Sequence, residues 1–261
     1  MSVKILCQLL MEIGNIDKSA EGAFPGKRSV TIYTCGCNLR CSYCGYLGLL
    51  GNCEDGDLYD WKRVESHLRK RLNRIEGVIF SGGEPTLQED LAAYLAGVRE
   101  LGLATMLETN GTQPDVLRGL FAQGLLDYVA MDVKAPLENY GSLVGRRIDT
   151  EAIRTSIWCI KHSGVAHEFR TTVVPGLHTT RELKTIAELI HGADRYVVQD
   201  FVSAKPLRPE LQGRPAFPHK PLEDIRAYVE RRVSAYEIRH SEEARPMPAT
   251  KRRRRSPAAI A

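Results

Sequence analysis

Short apolar runs rich in β-branched residues alternate with stretches whose apolar residues recur every three or four positions. The runs predict strands over residues 29–34, 77–81, 104–108, 128–132, 167–174 and 196–201, with 236–239 as a closing edge strand. Between them, Trp61, Val64, Leu68 and Leu72 keep a helical spacing behind Asp60, a plausible N-cap. Leu87, Leu91, Leu95 and Val98 do so behind Thr86. Pro114 opens a helix carrying Leu117, Leu120 and Phe121, and Ile153, Ile157 and Ile160 follow Thr150. Thr179 and Glu182 form a capping-box pattern ahead of Leu183, Ile186 and Ile190, and Pro221 opens a last helix with Leu222, Ile225 and Val229.

Six strand–helix alternations predict an α/β fold with a parallel sheet and helical crossovers. Nearly continuous apolar strands suit a sheet covered on both faces. Polar residues cluster where the strands end: Gly82, Gly83 and Glu84 after the second, Glu108, Thr109 and Asn110 at the third, Asp132 and Lys134 at the fourth. Arg170 and Thr172 share a face of the fifth by their spacing of two, and Gln199 and Asp200 close the sixth. In a parallel barrel these ends gather on one rim, where active sites are built.

The 261 residues are 43% hydrophobic and 26% charged, enough apolar material for a sizeable core. The net charge is +4, but residues 251–255 (Lys-Arg-Arg-Arg-Arg) carry five positive charges, so the remainder stands at −1. A nucleic-acid role is therefore not expected of the body of the protein. No segment approaches the ~18 uninterrupted apolar residues of a membrane span. Residues 1–14 lack a cleavage-like site, so the expected location is the cytoplasm. The expected organisation is one domain over 1–241, its core at about 25–205, with a disordered basic tail at 242–261.

Seven cysteines is an odd number, and three of them lie in the run Cys-Asn-Leu-Arg-Cys-Ser-Tyr-Cys at 37–44. Dispersed, even-numbered cysteines would suggest a disulfide framework; a compact triplet points to metal or redox chemistry. Thiolates suit iron–sulfur clusters and soft metals. Structural zinc takes four ligands, and Cys35 or Cys53 could supply the fourth, so a zinc-binding interaction module stands as a non-enzymatic alternative. Forty residues on, Ser81-Gly82-Gly83-Glu84-Pro85 forms a glycine turn after a strand, able to bring backbone close to a small ligand.

At this spacing, with Tyr43 ahead of the last cysteine, the triplet resembles the radical S-adenosylmethionine superfamily. The resemblance implies a partial (β/α)6 TIM-like barrel. It also implies a [4Fe–4S] cluster on Cys37, Cys41 and Cys44, with S-adenosylmethionine chelating the remaining iron and yielding a 5′-deoxyadenosyl radical. Gly82, Gly83 and Glu84 match the family's second motif, which contacts the amino group of the methionyl part.

Leu107-Glu108-Thr109-Asn110-Gly111, the run 127–136 containing Asp132 and Lys134, and the run 169–175 containing Arg170 and Thr172 look like the glycyl-radical-enzyme activases. They are closest to activators of anaerobic ribonucleoside-triphosphate reductase. This implies a glycyl radical enzyme as partner and a reduced flavodoxin or ferredoxin as electron donor. By motif position the resemblance implies that Lys134 would approach the S-adenosylmethionine carboxylate and that Arg170 and Thr172 would lie near its methionyl and ribose parts. Glu108, Thr109 and Asp132 correspond to the place where related activases hold a monovalent cation, with Glu108 where relatives often carry Asp. Gly45-Tyr46 replaces the His-Asn pair common in activases. A second reading within the superfamily is modification of a small molecule, peptide or tRNA. His67, His162, His191 and His219 read as surface residues, His178 lies on a strand-exit loop, and Cys7, Cys53 and Cys159 read as ordinary thiols.

Overall fold

The structure, a computed structural model, describes residues 11–18, 23–51, 53, 58–202 and 206–240. An eight-stranded sheet runs in simple sequence order. β1 (Ile13–Asp17) is antiparallel to β2 (Ser29–Thr34). From β2 onward every pair is parallel, through β3 (Gly77–Gly82), β4 (Ala104–Thr109), β5 (Tyr128–Asp132), β6 (Ala166–Val173), β7 (Tyr196–Asp200) and β8 (Tyr236–Arg239). Among the described residues β1 and β8 do not pair, so the sheet is open. β2 to β7 are each followed by helix, which makes the six expected units of a partial TIM-like barrel; β8 is the expected closing edge strand and pairs with β7 in parallel.

β1 was not expected. Gly14 and Asn15 interrupt its alternation, and the register shifts between Ile13 and Asn15. A side chain at Gly14 would meet Leu49, Cys35 and Cys53, so the strand is shaped to lie against those residues.

Helices α1 (Trp61–Arg69), α2 (Leu91–Glu100), α3 (Pro114–Ala122), α4 (Tyr140–Val144), α5 (Thr150–Lys161), α6 (Thr180–Leu189), α7 (His219–Asp224) and α8 (Arg226–Val229) fill the crossovers. Asp60 caps α1 by accepting from Lys62 N at 3.2 Å, and the Thr179–Glu182 capping box of α6 is complete. Two expectations need correction. Residues 85–87 form a 3-10 turn rather than the start of α2, because the Glu84 carboxylate takes both the N–H and the hydroxyl of Thr86; Leu87 is left exposed. The last helix begins at His219 rather than at Pro221, and it breaks at Ile225 into two short pieces. α5 begins at Thr150, and Asp149 caps it by accepting from Glu151 N.

The apolar residues divide by strand alternation. Val78, Phe80, Leu107, Val129, Met131 and Phe169 join Leu68, Leu95, Leu120, Ile157 and Ile186 of the helices in the main core. Each such fully buried side chain contributes roughly 1.5–3 kcal/mol. On the opposite, inner face, Phe24, Ile79, Met106, Tyr128 and Ala130 form a small apolar floor. Two residues further along the same strands that face turns polar, at Ser81, Glu108 and Asp132. The arginine run at 251–255, the tail at 242–261 and Cys7 lie outside the described residues. No helix of the described residues is long and apolar enough to cross a membrane.

Candidate active site

The cluster loop leaves the end of β2 and folds back onto its neighbours through the main chain. Arg40 N donates to Val144 O at 2.8 Å, Cys44 N to Cys41 O at 3.0 Å, and Arg208 N to Ser42 O at 2.8 Å. The Arg40 guanidinium donates to the carbonyls of Cys37 and Leu39, both at 2.7 Å, and so ties the loop internally. Cys37, Cys41 and Cys44 are free, and each carries charge coupling to another of the three. Burial pushes all three thiols up, Cys41 to about 11. Three thiolates therefore need a compensating positive group to persist here.

The fourth-ligand candidates are spoken for. Cys35 and Cys53 form a disulfide, which corrects the reading of Cys53 as an ordinary thiol, and Cys159 is buried on α5. Among the described residues the triplet thus has three cysteines and no free fourth beside it. That donor set fits a cluster with one iron left to a non-protein ligand, and it does not fit a four-cysteine structural zinc site.

The glycine turn after β3 packs directly on this loop. Gly82 has φ +120°, and a side chain there would strike the Thr34 backbone; one at Gly83 would strike the Gly36 carbonyl. Gly83 N donates to Thr34 O and Glu84 N to Gly36 O, both at 2.8 Å. Glu84 is buried and faces the exit of β4. Its carboxylate accepts from Thr109 Oγ1 at 2.7 Å and Asn110 N at 2.6 Å, besides Thr86. Burial raises its pKa, and these hydrogen bonds work against that rise. Asn110 in turn donates to Asn38 Oδ1 at 2.9 Å, Asn38 donates to Thr112 Oγ1 at 2.8 Å, and Asn110 Nδ2 lies 4.0 Å from Cys37 Sγ. One network therefore joins the second motif, the β4 exit and the first cysteine. Asn38 and Thr112 were not singled out from sequence, because only the folded chain brings them together.

Lys134 is buried with its ammonium 2.8 Å from Asp132 Oδ2. Burial alone would lower its pKa, but Asp132, Tyr43 and Cys41 outweigh this and hold it well above the usual lysine range. Its charge also acts on all three cysteines of the triplet. His178 is buried behind it. The ring accepts from Val174 N at 3.0 Å through Nδ1, which leaves Nε2–H to donate to Lys134 O at 2.9 Å. Burial lowers its pKa, so His178 is a neutral prop for the Lys134 backbone.

The remaining rim residues form a charged row across the inner face. Glu108 accepts from Ser81 Oγ at 2.6 Å and from Arg170 at 2.5 Å. Arg170 also pairs with Glu168, which accepts from Tyr128 Oη at 3.0 Å and from Arg239 at 3.3 Å. Burial would raise the pKa of Glu168, but Arg170 and Arg239 pull it to about 2. Thr172 Oγ1 accepts from Gln199 at 2.9 Å. Glu168 went unnoticed in the sequence; the clue was a second charge two residues before Arg170 in an apolar strand. The three residues expected around a monovalent cation each have a protein partner: Asp132 has Lys134, Glu108 has Ser81 and Arg170, and Thr109 has Glu84.

A three-cysteine loop, a glycine turn seated on it and polar strand ends on a partial parallel barrel define a class of enzyme, and comparison bears this out. Residues 31–190 match the model of the Radical SAM superfamily, and the chain belongs to that superfamily. The family implies a [4Fe–4S] cluster and S-adenosylmethionine.

A Methanocaldococcus jannaschii protein provisionally named a glycyl-radical enzyme activating enzyme is 32% identical over 209 residues, 76% of this chain and 81% of that one. A 7-carboxy-7-deazaguanine synthase of Thermococcus kodakarensis is 27% identical over 207 residues, 69% and 77% of the two chains. Among solved structures, Streptococcus suis SuiB bound to S-adenosylmethionine superposes with a TM-score of 0.60 at 17% identity, covering 78% of this chain and 48% of SuiB. Escherichia coli coproporphyrinogen III oxidase, a radical SAM enzyme, gives 0.53 at 17% identity, covering 75% and 50%. This chain spans about half the length of those two, and the likeness is one of fold.

Proposed function

We propose that the protein cleaves S-adenosylmethionine reductively and uses the resulting radical to generate a glycyl radical on a partner enzyme, an anaerobic ribonucleoside-triphosphate reductase by motif resemblance. The observation that carries the radical chemistry is the free triplet Cys37, Cys41 and Cys44 beside a Cys35–Cys53 pair that takes up both candidate fourth ligands among the described residues. The choice of a protein glycine rests on the motif runs at 107–111, 127–136 and 169–175 and on the relative in Methanocaldococcus jannaschii.

Cys37, Cys41 and Cys44 would hold the cluster. When bound, the cluster supplies the electron that breaks the sulfonium C–S bond of S-adenosylmethionine, and a flavodoxin or ferredoxin would deliver that electron to the protein. The glycine turn at Gly82 and Gly83 would bring backbone against the methionyl amino group, with Glu84 fixing the turn. Lys134 would offer its ammonium to the methionyl carboxylate, held in place by Asp132 and His178. Arg170 and Thr172 would line the methionyl and ribose side. Glu84, Lys134 and Arg170 are buried, and a lining of this kind would limit the access of water to a reactive species.

A second reading, modification of a small polar molecule, is favoured by one feature: the Glu108–Arg170–Glu168–Arg239 row on the inner face offers charges rather than an apolar surface. The relative named 7-carboxy-7-deazaguanine synthase supports it as well.

The test is anaerobic incubation of the iron- and sulfide-reconstituted protein with a reductant, S-adenosylmethionine and the candidate reductase, read by electron paramagnetic resonance. A glycyl doublet on the reductase, stoichiometric with 5′-deoxyadenosine, supports activation. Cleavage without that doublet, together with 7-carboxy-7-deazaguanine accumulating in expressing cells, supports the second reading.

A further inference from the structure

Three side chains with metal-ligating atoms meet away from the cysteines, where β7, β8 and α7 come together. β7 ends at Asp200, and His240 follows the last residue of β8. Gln199 is in register with Arg239, so Asp200 and His240 are the next pair along these parallel strands. Strand alternation turns Asp200 away from the face of Thr172 and Gln199, toward the helices. The third residue, His219, is the first of α7. His219 is exposed, as expected of a surface histidine, and it is also paired with Asp200.

Single atoms converge. His219 Nε2 lies 3.1 Å from Asp200 Oδ2 and 3.1 Å from His240 Nδ1, and His240 Nδ1 lies 3.9 Å from the same Asp200 oxygen. Protons alone satisfy this triangle poorly. A neutral imidazole nitrogen either carries one hydrogen or presents one lone pair. If His219 Nε2 donates to Asp200, it cannot accept from His240; if it accepts from His240, its lone pair faces a carboxylate oxygen. A metal ion satisfies all three atoms at once. A tetrahedral ion with bonds of about 2.0–2.1 Å needs ligand atoms roughly 3.3–3.4 Å apart. The edges of 3.1, 3.1 and 3.9 Å bracket that separation.

The chemistry narrows the ion. Two imidazoles and one carboxylate suit zinc and its first-row neighbours rather than magnesium or calcium, which prefer oxygen ligands. The Asp200 side chain is 1% exposed, whereas those of His219 and His240 are 44% and 46% exposed. The carboxylate is thus a buried anchor and the two histidines face solvent, where water would serve as a fourth ligand.

We propose that Asp200, His219 and His240 bind a divalent ion of the zinc class, separate from the cysteine triplet. The bound ion clasps the start of α7 and the end of β8 to the end of β7, so it fastens the open edge of the sheet.

The test uses the full chain with its iron–sulfur cluster reconstituted, so that the three cysteines are occupied. Zinc is titrated against a competing chelator into this protein and into His219→Ala, His240→Ala and the double variant, and melting temperature is followed in parallel. The expected result is one zinc in addition to the iron, with affinity falling by more than about 100-fold in the double variant, beyond the 10–100-fold effect of altering a metal's outer shell. Zinc should raise the melting temperature of the parent protein only. Cobalt bound in place of zinc should show ligand-field bands without thiolate charge transfer. Equal zinc affinity in the parent and the double variant would overturn the proposal, as would cobalt bands dominated by thiolate in both. Both histidines are about half exposed, so their replacement spares the core; Asp200→Asn gives a third variant, with the same loss expected.

Discussion

The Glu84 carboxylate accepts the main-chain N–H of Asn110 at 2.6 Å and so binds the turn after β3 to the exit of β4. Glu84→Ala leaves Thr86 N, Asn110 N and two hydroxyls short of an acceptor. Each buried orphan costs about 1–3 kcal/mol, so a loss of at least about 3 kcal/mol is expected in denaturant unfolding. Glu84→Gln should cost less, about 1–3 kcal/mol, because its amide can turn only one oxygen to these donors. Because burial raises the Glu84 pKa, the folded state holds the proton more tightly than the unfolded one. Its share of stability therefore declines as pH rises from the unfolded carboxylate range through the folded value. Glu84→Gln should abolish that decline; a parent-like pH slope in this variant would contradict the assignment.

Glu168 titrates in the opposite sense. Its folded pKa is about 2 against an ordinary 4.5, so its contribution is full above the ordinary value and is lost as pH falls toward 2. The difference amounts to about 3 kcal/mol at neutral pH. Glu168→Gln should remove most of this stability near pH 7 and converge with the parent at the acid end. Urea unfolding at pH 7 and pH 3 measures the convergence.

The Cys35–Cys53 pair separates two kinds of cysteine by iron content. Cys41→Ala should fail to assemble the cluster on anaerobic reconstitution. Cys53→Ser should retain it, since that sulfur is committed to Cys35. The pair closes a loop with a sequence separation of 18 residues around the triplet. Its loss should cost about 3 kcal/mol under oxidising conditions on the chain-entropy model and nothing under strong reductant.

Lys134→Met should weaken S-adenosylmethionine binding by about tenfold or more, the worth of one hydrogen bond to a charged group. Equilibrium binding to the cluster-loaded variant, with iron content confirmed as parental, is the measurement. His178→Phe should act in the same direction but more weakly, because it supports the Lys134 carbonyl rather than the ligand.

Much of the fold could be read from local pattern. The central strands and the caps of α1 and α6 follow from apolar periodicity and side-chain chemistry that act within a few residues. Local reading failed where a side chain captured a neighbouring N–H and where a distant strand set the register. The start of α2 gave way to a 3-10 turn because Glu84 captured Thr86. β1 was hidden because its apolar residues straddle a bulge that only pairing with β2 defines. The cysteine triplet and the glycine turn were legible because their spacing along the chain is itself the chemical signal.

Amino-acid order alone thus settled the class of this protein: three thiolates within eight residues, a glycine pair after the next strand, and six strand–helix units to carry them. Tertiary structure decided which groups meet. It paired Cys35 with Cys53, set Arg170 between Glu108 and Glu168, and brought Asp200, His219 and His240 to one point. The physical reason is that hydrogen bonds and ion pairs act over a few ångströms of space, whatever the separation in sequence. Only the register of parallel strands and the path of their crossovers determines which distant residues come within that reach.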